Sequence, residues 1–112
     1  MASFYPAQSA SRYLKDNNIL YNGGKSTQWS ATVSAQTRTI RVVTNVTGGI
    51  YMITADSTAN VNANPSVSPS SSGAFVAANN FPEYFTVSPG QIVAINSTST
   101  TTGVVSITEM TN

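Results

Sequence analysis

From residue 28 onward, apolar and polar positions alternate with a period of two. Trp29, Ala31 and Val33 fall on one side of the pattern, and Ser30, Thr32 and Ser34 on the other. Further on, Ile40, Val42 and Val46 oppose Arg41, Val43 and Asn45. Successive side chains of a strand point to opposite faces, so the pattern predicts half-buried strands and not helices. Ile50-Tyr51-Met52-Ile53 is apolar at every position, which predicts a strand that is central or covered on both faces. A short edge strand is expected over residues 74–78. Residues 83–87 are aromatic and β-branched, residues 91–96 carry Ile92, Val93 and Ile95, and residues 103–110 turn Val105 and Ile107 inward.

Turn signals separate these runs. Gly48-Gly49 predicts the positive φ of a tight hairpin. Ser88-Pro89-Gly90-Gln91 predicts a type II turn, with Pro pre-setting φ and Gly at the positive-φ corner. Residues 56–73, with two prolines and a serine run, read as a long loop. About six to eight short strands with turns between them predict an all-β fold: an antiparallel β-sandwich or a jelly-roll-like barrel. The expected core is Val42, Met52, Phe85, Ile92, Ile95, Val105 and Ile107.

Residues 1–27 lack this alternation. Pro6, Asn17-Asn18 and Gly23-Gly24 break up scattered apolar side chains, and a helical turn over residues 9–16 is conceivable. The expected division is an extended N-terminal arm, 1–27, and a sandwich domain, 28–112. Phe4, Tyr5, Tyr13, Leu14, Ile19 and Tyr21 need a surface to pack on, either this chain's own sheet or a neighbouring subunit.

Composition narrows the function. Only 8% of the 112 residues are charged, against about 25% in an ordinary soluble domain, while Ser, Thr and Asn fill 42 positions. Such a surface can lie against another protein without desolvating many ions. Five Lys and Arg against four Asp and Glu are too few for a phosphate-tracking patch, so no nucleic acid is expected as partner. A basic start of the chain touching DNA or an acidic surface is the lesser reading. No apolar run reaches the roughly 18 residues of a membrane span, so no membrane is expected either, and the first residues do not read as a secretory signal.

With no His and no Cys, Ser or Thr has no conventional base beside it, and no zinc set exists. Lys15 and Lys25 lie in the polar arm, where a lysine stays protonated. The four acids sit in different segments, away from the paired arrangement of glycoside hydrolysis, and Asp56 with Asn60 and Asn62 is too poor in carboxylates for calcium. No enzyme, catalytic residue, metal or cofactor is expected. Trp29, Tyr51 and Tyr84 are the candidates for a sugar-stacking platform, against the plainer reading of aromatics as core or cross-strand pairs.

Four segments carry a resemblance to a known class. They are Thr39-Ile40-Arg41-Val42-Val43-Thr44-Asn45, Gly49-Ile50-Tyr51-Met52-Ile53, Phe81-Pro82-Glu83-Tyr84-Phe85-Thr86-Val87-Ser88-Pro89-Gly90-Gln91-Ile92-Val93-Ala94-Ile95 and Val105-Ser106-Ile107-Thr108-Glu109-Met110. Over residues 37–110 the chain resembles small all-β virion proteins of tailed bacteriophages, in particular capsid decoration or cement proteins. The resemblance implies a jelly-roll or related sandwich on the capsid surface of the virion. Its partners would be the major capsid protein and further copies of itself, as homodimer or homotrimer. The alternatives are a host-glycan-binding head or tail fibre module, and a structural component of the head–tail connector or tail.

Overall fold

The computed structural model describes residues 12–23, 27–57 and 73–111. Nine strands lie in these segments: β1 (Arg12–Asp16), β2 (Ile19–Tyr21), β3 (Gln28–Trp29), β4 (Thr39–Thr44), β5 (Ile50–Asp56), β6 (Ala74–Val76), β7 (Glu83–Thr86), β8 (Gln91–Asn96) and β9 (Gly103–Thr111). Every pairing is antiparallel, and no helix occurs among the described residues. Sheet A runs β1-β9-β4-β7, with β2 also on β9; sheet B runs β3-β8-β5-β6. Their inner faces share one apolar core, so the expected all-β sandwich is what forms.

The pairings are nested. β1 and β2 pair with β9, β3 with β8, β4 with β7, and β5 with β6, and these successive rungs alternate between sheets A and B. The chain is therefore one long antiparallel ribbon rolled up on itself, and rolling adds two seams, β4 with β9 and β5 with β8. This geometry corrects the reading of Gly48-Gly49 as a hairpin. The turn closes with Gly49 N–H on Val46 O at 2.9 Å, with φ of 82° and 81° at the two glycines, but it carries the chain from sheet A into sheet B. Both edges of β4 are taken by β7 and β9, so β5 has no place beside it. The type II turn forms as expected, with Gln91 N–H on Ser88 O at 3.3 Å and Gly90 at φ 83°, and it too crosses between sheets.

Residues 12–21, expected as arm, form the edge of sheet A. The pairs Lys15↔Glu109, Asp16↔Thr108, Ile19↔Val105, Leu20↔Val104 and Tyr21↔Gly103 keep one register. Asn17-Asn18 interrupts the strand without ending it. Asn17 N–H donates to Ile107 O at 2.8 Å, and Asn18 Oδ1 accepts from Ile107 N–H at 2.9 Å, so an amide side chain stands in for the missing ladder acceptor. Leu14 is the extra residue where the register shifts between Tyr13 and Lys15. Residues 12–16 are thus extended, not helical; residues 9–11, like the rest of 1–11, lie outside the described residues.

Two of the proposed partner-gripping side chains are core residues. Ile19 is 5% exposed and Tyr21 fully buried, both in the inter-sheet cluster. Pulling either out to hold a neighbour would forgo about 2 kcal/mol of burial. Tyr21 is also held by its hydroxyl, which donates to Ser99 O at 2.7 Å and Ser97 O at 3.2 Å.

Of the expected core, Val42, Met52, Ile95, Val105 and Ile107 are buried between the sheets, and Phe85 packs against them half-exposed. Ile92 is buried on the opposite side of sheet B, with Ala94. The alternation predicted for residues 29–35 also fails: Trp29 and Ala31 point outward, while Ser30 and Val33 are buried. Ser30 is paid for by bonds, accepting from Val93 N–H at 2.9 Å and donating to Ala31 O at 2.8 Å. Several other hydroxyls are internal as well. Thr44 Oγ1 accepts from Val46 N–H and donates to Val104 O, both at 3.0 Å, and Ser97 Oγ donates to Gly49 O at 2.8 Å. Among the described residues no buried side-chain polar atom lacks a partner, as a stable interior requires.

Candidate docking face

The outer face of sheet B is built by residues that the strand pleat turns away from the core. Ala94, on central β8, lies between Trp29 of β3 and Ile53 of β5 in one cross-strand row. The next rows bring Ala55 beside Ile92, and Tyr51 between Asn96 and Phe75. Ile92 and Ala94 are buried, with Ile53 and Ala55 packed on them. Around this floor stand Trp29, 41% exposed, and Phe75, 49% exposed. The Tyr51 and Phe75 rings meet with centroids 5.2 Å apart at 56°, a tilted packing that fixes both.

Charge is distributed unevenly between the sheets. Arg12, Lys15 and Asp16 on β1, Arg41 on β4, Glu83 on β7 and Glu109 on β9 all belong to sheet A, and Arg38 immediately precedes β4. Among the described residues, Asp56 at the end of β5 is the single charge on sheet B. The outer side of sheet A also has exposed apolar groups, including Tyr13, Leu20 and Val104, but interleaves them with charge. Its middle row reads Asp16, Thr108, Arg41, Tyr84. One face of the sandwich is aromatic and neutral; the other is mixed.

The sequence-derived candidates scatter over this map. Tyr13 is exposed at the edge of sheet A, Leu14 is half-buried in the bulge, Ile19 and Tyr21 are core, and Phe4 and Tyr5 lie outside the described residues. Trp29 and Tyr51 share the outer face of sheet B. Tyr84 sits on the outer face of sheet A, across the sandwich, so the three cannot form one sugar-stacking platform. Phase explains the split: Tyr84 pairs with Arg41, whose neighbours Ile40 and Val42 are the inward ones. Sequence reasoning did not single out Phe75, Ile53 and Ala94. The signal available was the run 50–53, apolar on both faces, which required a covered or binding outer surface.

Glu109 is the buried carboxylate of the described interior, and its oxygens are fully engaged. Oε1 accepts from Thr37 Oγ1 at 2.6 Å and Ser34 N–H at 2.8 Å, and Oε2 from Asn17 Nδ2 at 3.0 Å. Asn17 then completes a clamp on the Ala31 peptide, donating to its oxygen at 2.9 Å and accepting from its N–H at 3.1 Å. The cluster ties the edge of sheet A to the segment leaving β3. Among the described residues, no group of three or more acidic side chains is placed to hold a metal ion. Asn60 and Asn62, weighed as calcium ligands with Asp56, lie outside the described residues. No protein-family model, curated protein or solved structure matches the chain.

Proposed function

We propose that this chain is a structural coat component that lies with the outer face of sheet B against a larger protein assembly. The observation that carries the reading is the neutral, aromatic surface of Trp29, Tyr51, Ile53 and Phe75 over Ile92 and Ala94, on a sheet whose single described charge is at its end. Contiguous exposed apolar patches of this kind mark interaction sites. Docking here removes apolar area from water and desolvates no ion among the described residues of that face, so the usual penalty for burying charge does not arise there.

The finer form of the proposal is a capsid decoration protein of a tailed phage, bound to the outer surface of the major capsid protein across capsomer boundaries. Its support is the resemblance of residues 37–110 and the strand order. With β1 and β2 counted as one strand, the orders β1-β9-β4-β7 and β3-β8-β5-β6 support the reading as a double-sheet jelly roll, an architecture used by viral capsid and lectin domains. A weak contact repeated through a dimer or trimer over a symmetric shell gains avidity. The glycan-binding alternative has less to work with, because the outer row of sheet B offers Asn96 and few other hydrogen-bonding side chains for sugar hydroxyls.

Co-sedimentation of the purified protein with undecorated capsids tests this. Wild type is expected to pellet with the particles in a saturable ratio, and Trp29→Ser or Phe75→Ser to remain in the supernatant while keeping the far-UV spectrum of a folded sandwich. Saturable binding that survives both substitutions would remove sheet B from the contact. No binding to particles at all would refute the coat reading.

A further inference from the structure

The end of β9 is flanked by arginine on both sides. Arg12 of β1 is the register partner of Thr111, and Arg38, just ahead of β4, donates its backbone N–H to Met110 O at 2.9 Å. Both side chains line one surface cleft of about 650 Å³, together with Tyr13, Gln36 and Thr111. Strand pairing fixes their backbones, so the two residues are set on either side of the same opening.

Their donors are largely unused. Arg38 Nη1 reaches only the carbonyls of Ala35 and Thr37, at the long distances of 3.5 and 3.4 Å. Among the described residues neither arginine forms an ion pair, and Arg12 makes no side-chain hydrogen bond. The acids nearby are not available to them. Glu109 faces inward with both oxygens taken by Thr37, Ser34 and Asn17. Asp16 pairs with Thr108, on the face opposite to Glu109, and Glu83 pairs with Val42, well along β4 from Arg38. Among the described residues these two cations of one cleft have no counter-charge, and in a chain with so few ions an anion from outside can supply it.

We propose that Arg12 and Arg38 form a carboxylate-binding cleft that takes an acidic side chain from the surface of a protein partner. The guanidinium fork matches a planar carboxylate with two parallel N–H···O bonds, and Thr111 and Gln36 supply neutral polar groups beside it. Polyphosphate backbones are a poor fit, since the chain's net charge is +1 and the described residues lining the cleft include two basic side chains, Arg12 and Arg38. The identity of the partner rests on the coat reading. The cleft lies at the β1–β9 edge of sheet A and so would fix orientation, while the apolar face of sheet B supplies area.

The test follows the arginine Nε–H signals of the full-length protein by ¹H–¹⁵N NMR at constant ionic strength. The probes are the peptide acetyl-Glu-Ser-Glu-amide, its Gln-Ser-Gln counterpart and inorganic phosphate. The acidic peptide is expected to shift Arg12 and Arg38 saturably, the neutral peptide not at all, and Arg38→Gln to weaken binding by about tenfold. Shifts that do not saturate, or that sodium chloride reproduces, overturn the site. Saturation by phosphate with no response to the acidic peptide overturns the assignment to a protein carboxylate. Arg12→Gln, at an exposed edge, serves as the second variant if Arg38→Gln does not fold. The sheet B substitutions report separately on capsid docking, so the two readings fail independently.

Discussion

Thr37 Oγ1 donates a 2.6 Å hydrogen bond to Glu109 Oε1, joining residues 72 positions apart inside the sandwich. The carboxylate it serves is fully buried and is met by neutral donors only. A buried carboxyl group of this kind is tolerated because both its oxygens have hydrogen-bond partners; removing it strands those partners. Glu109→Leu leaves Ser34 N–H and the Thr37 hydroxyl unsatisfied and is expected to cost about 3 kcal/mol, with Thr37→Val costing roughly 1–2 kcal/mol. Urea unfolding measures both. A Glu109→Leu protein as stable as wild type would show that the cluster contributes nothing to stability.

The adjacent asparagines should separate cleanly. Asn17 is buried and clamps the Ala31 peptide while donating to Glu109, so Asn17→Ala is expected to cost about 2–3 kcal/mol. Asn18 is exposed, and water can replace its bond to Ile107 N–H, so Asn18→Ala should cost less than about 1 kcal/mol. Equal losses in thermal or urea unfolding would contradict the burial argument.

Gly48 and Gly49 both have positive φ, yet they differ in what surrounds them. A Cβ on Gly48 meets open space, so Gly48→Ala should cost only the backbone strain, about 1 kcal/mol. A Cβ on Gly49 would stand 2.6 Å from Val76 O and 2.7 Å from the Phe75 ring. Gly49→Ala must therefore displace β6, and it is expected to cost roughly 2–3 kcal/mol and to disturb the Tyr51–Phe75 pair. Near-UV circular dichroism reads the aromatic change, and it should be absent in Gly48→Ala.

Tyr21 and Tyr13 test the two fates of the segment that pairs with β9. Tyr21→Phe strands the Ser97 and Ser99 carbonyls and is expected to lose about 1–2 kcal/mol. Tyr13→Ser, at a 64% exposed side chain, should stay within about 0.5 kcal/mol. Unfolding midpoints that rank the other way would place the wrong tyrosine in the core.

The chain has one tryptophan, which reports on its own surface. Trp29 is partly in water in the free protein, so capsid docking through sheet B should shift its emission to the blue. Docking through sheet A should leave the spectrum unchanged. Titration with capsids distinguishes the two, and a shift on binding abolished by Phe75→Ser would tie the signal to that face.

Much of the strand pattern could be read directly. Ile40 and Val42 against Arg41 and Val43 follow from the two-residue repeat, because each strand is buried on one side. Where burial came from both sides, the repeat lost its meaning: Ile92 and Val93 are adjacent and both buried, on opposite faces of sheet B. Asn17-Asn18 misled for a chemical reason, since the same amide that favours a turn can fill a gap in a ladder. Gly48-Gly49 announced a turn, but a turn's φ angles do not state which sheet the next strand joins.

The order of residues determined that this is a β-protein of low charge, where the strands beyond residue 38 fall and where the chain reverses, because alternation and turn chemistry are local. Tertiary structure decided which strands meet, and with them every long-range fact of interest. The rolled ribbon brought Glu109 to Thr37, set Arg12 and Arg38 on either side of β9, and gathered Trp29, Ile53 and Phe75 on one face while leaving most of the described charges to sheet A. Those neighbourhoods depend on how distant segments share one core, and no local pattern along the chain encodes that.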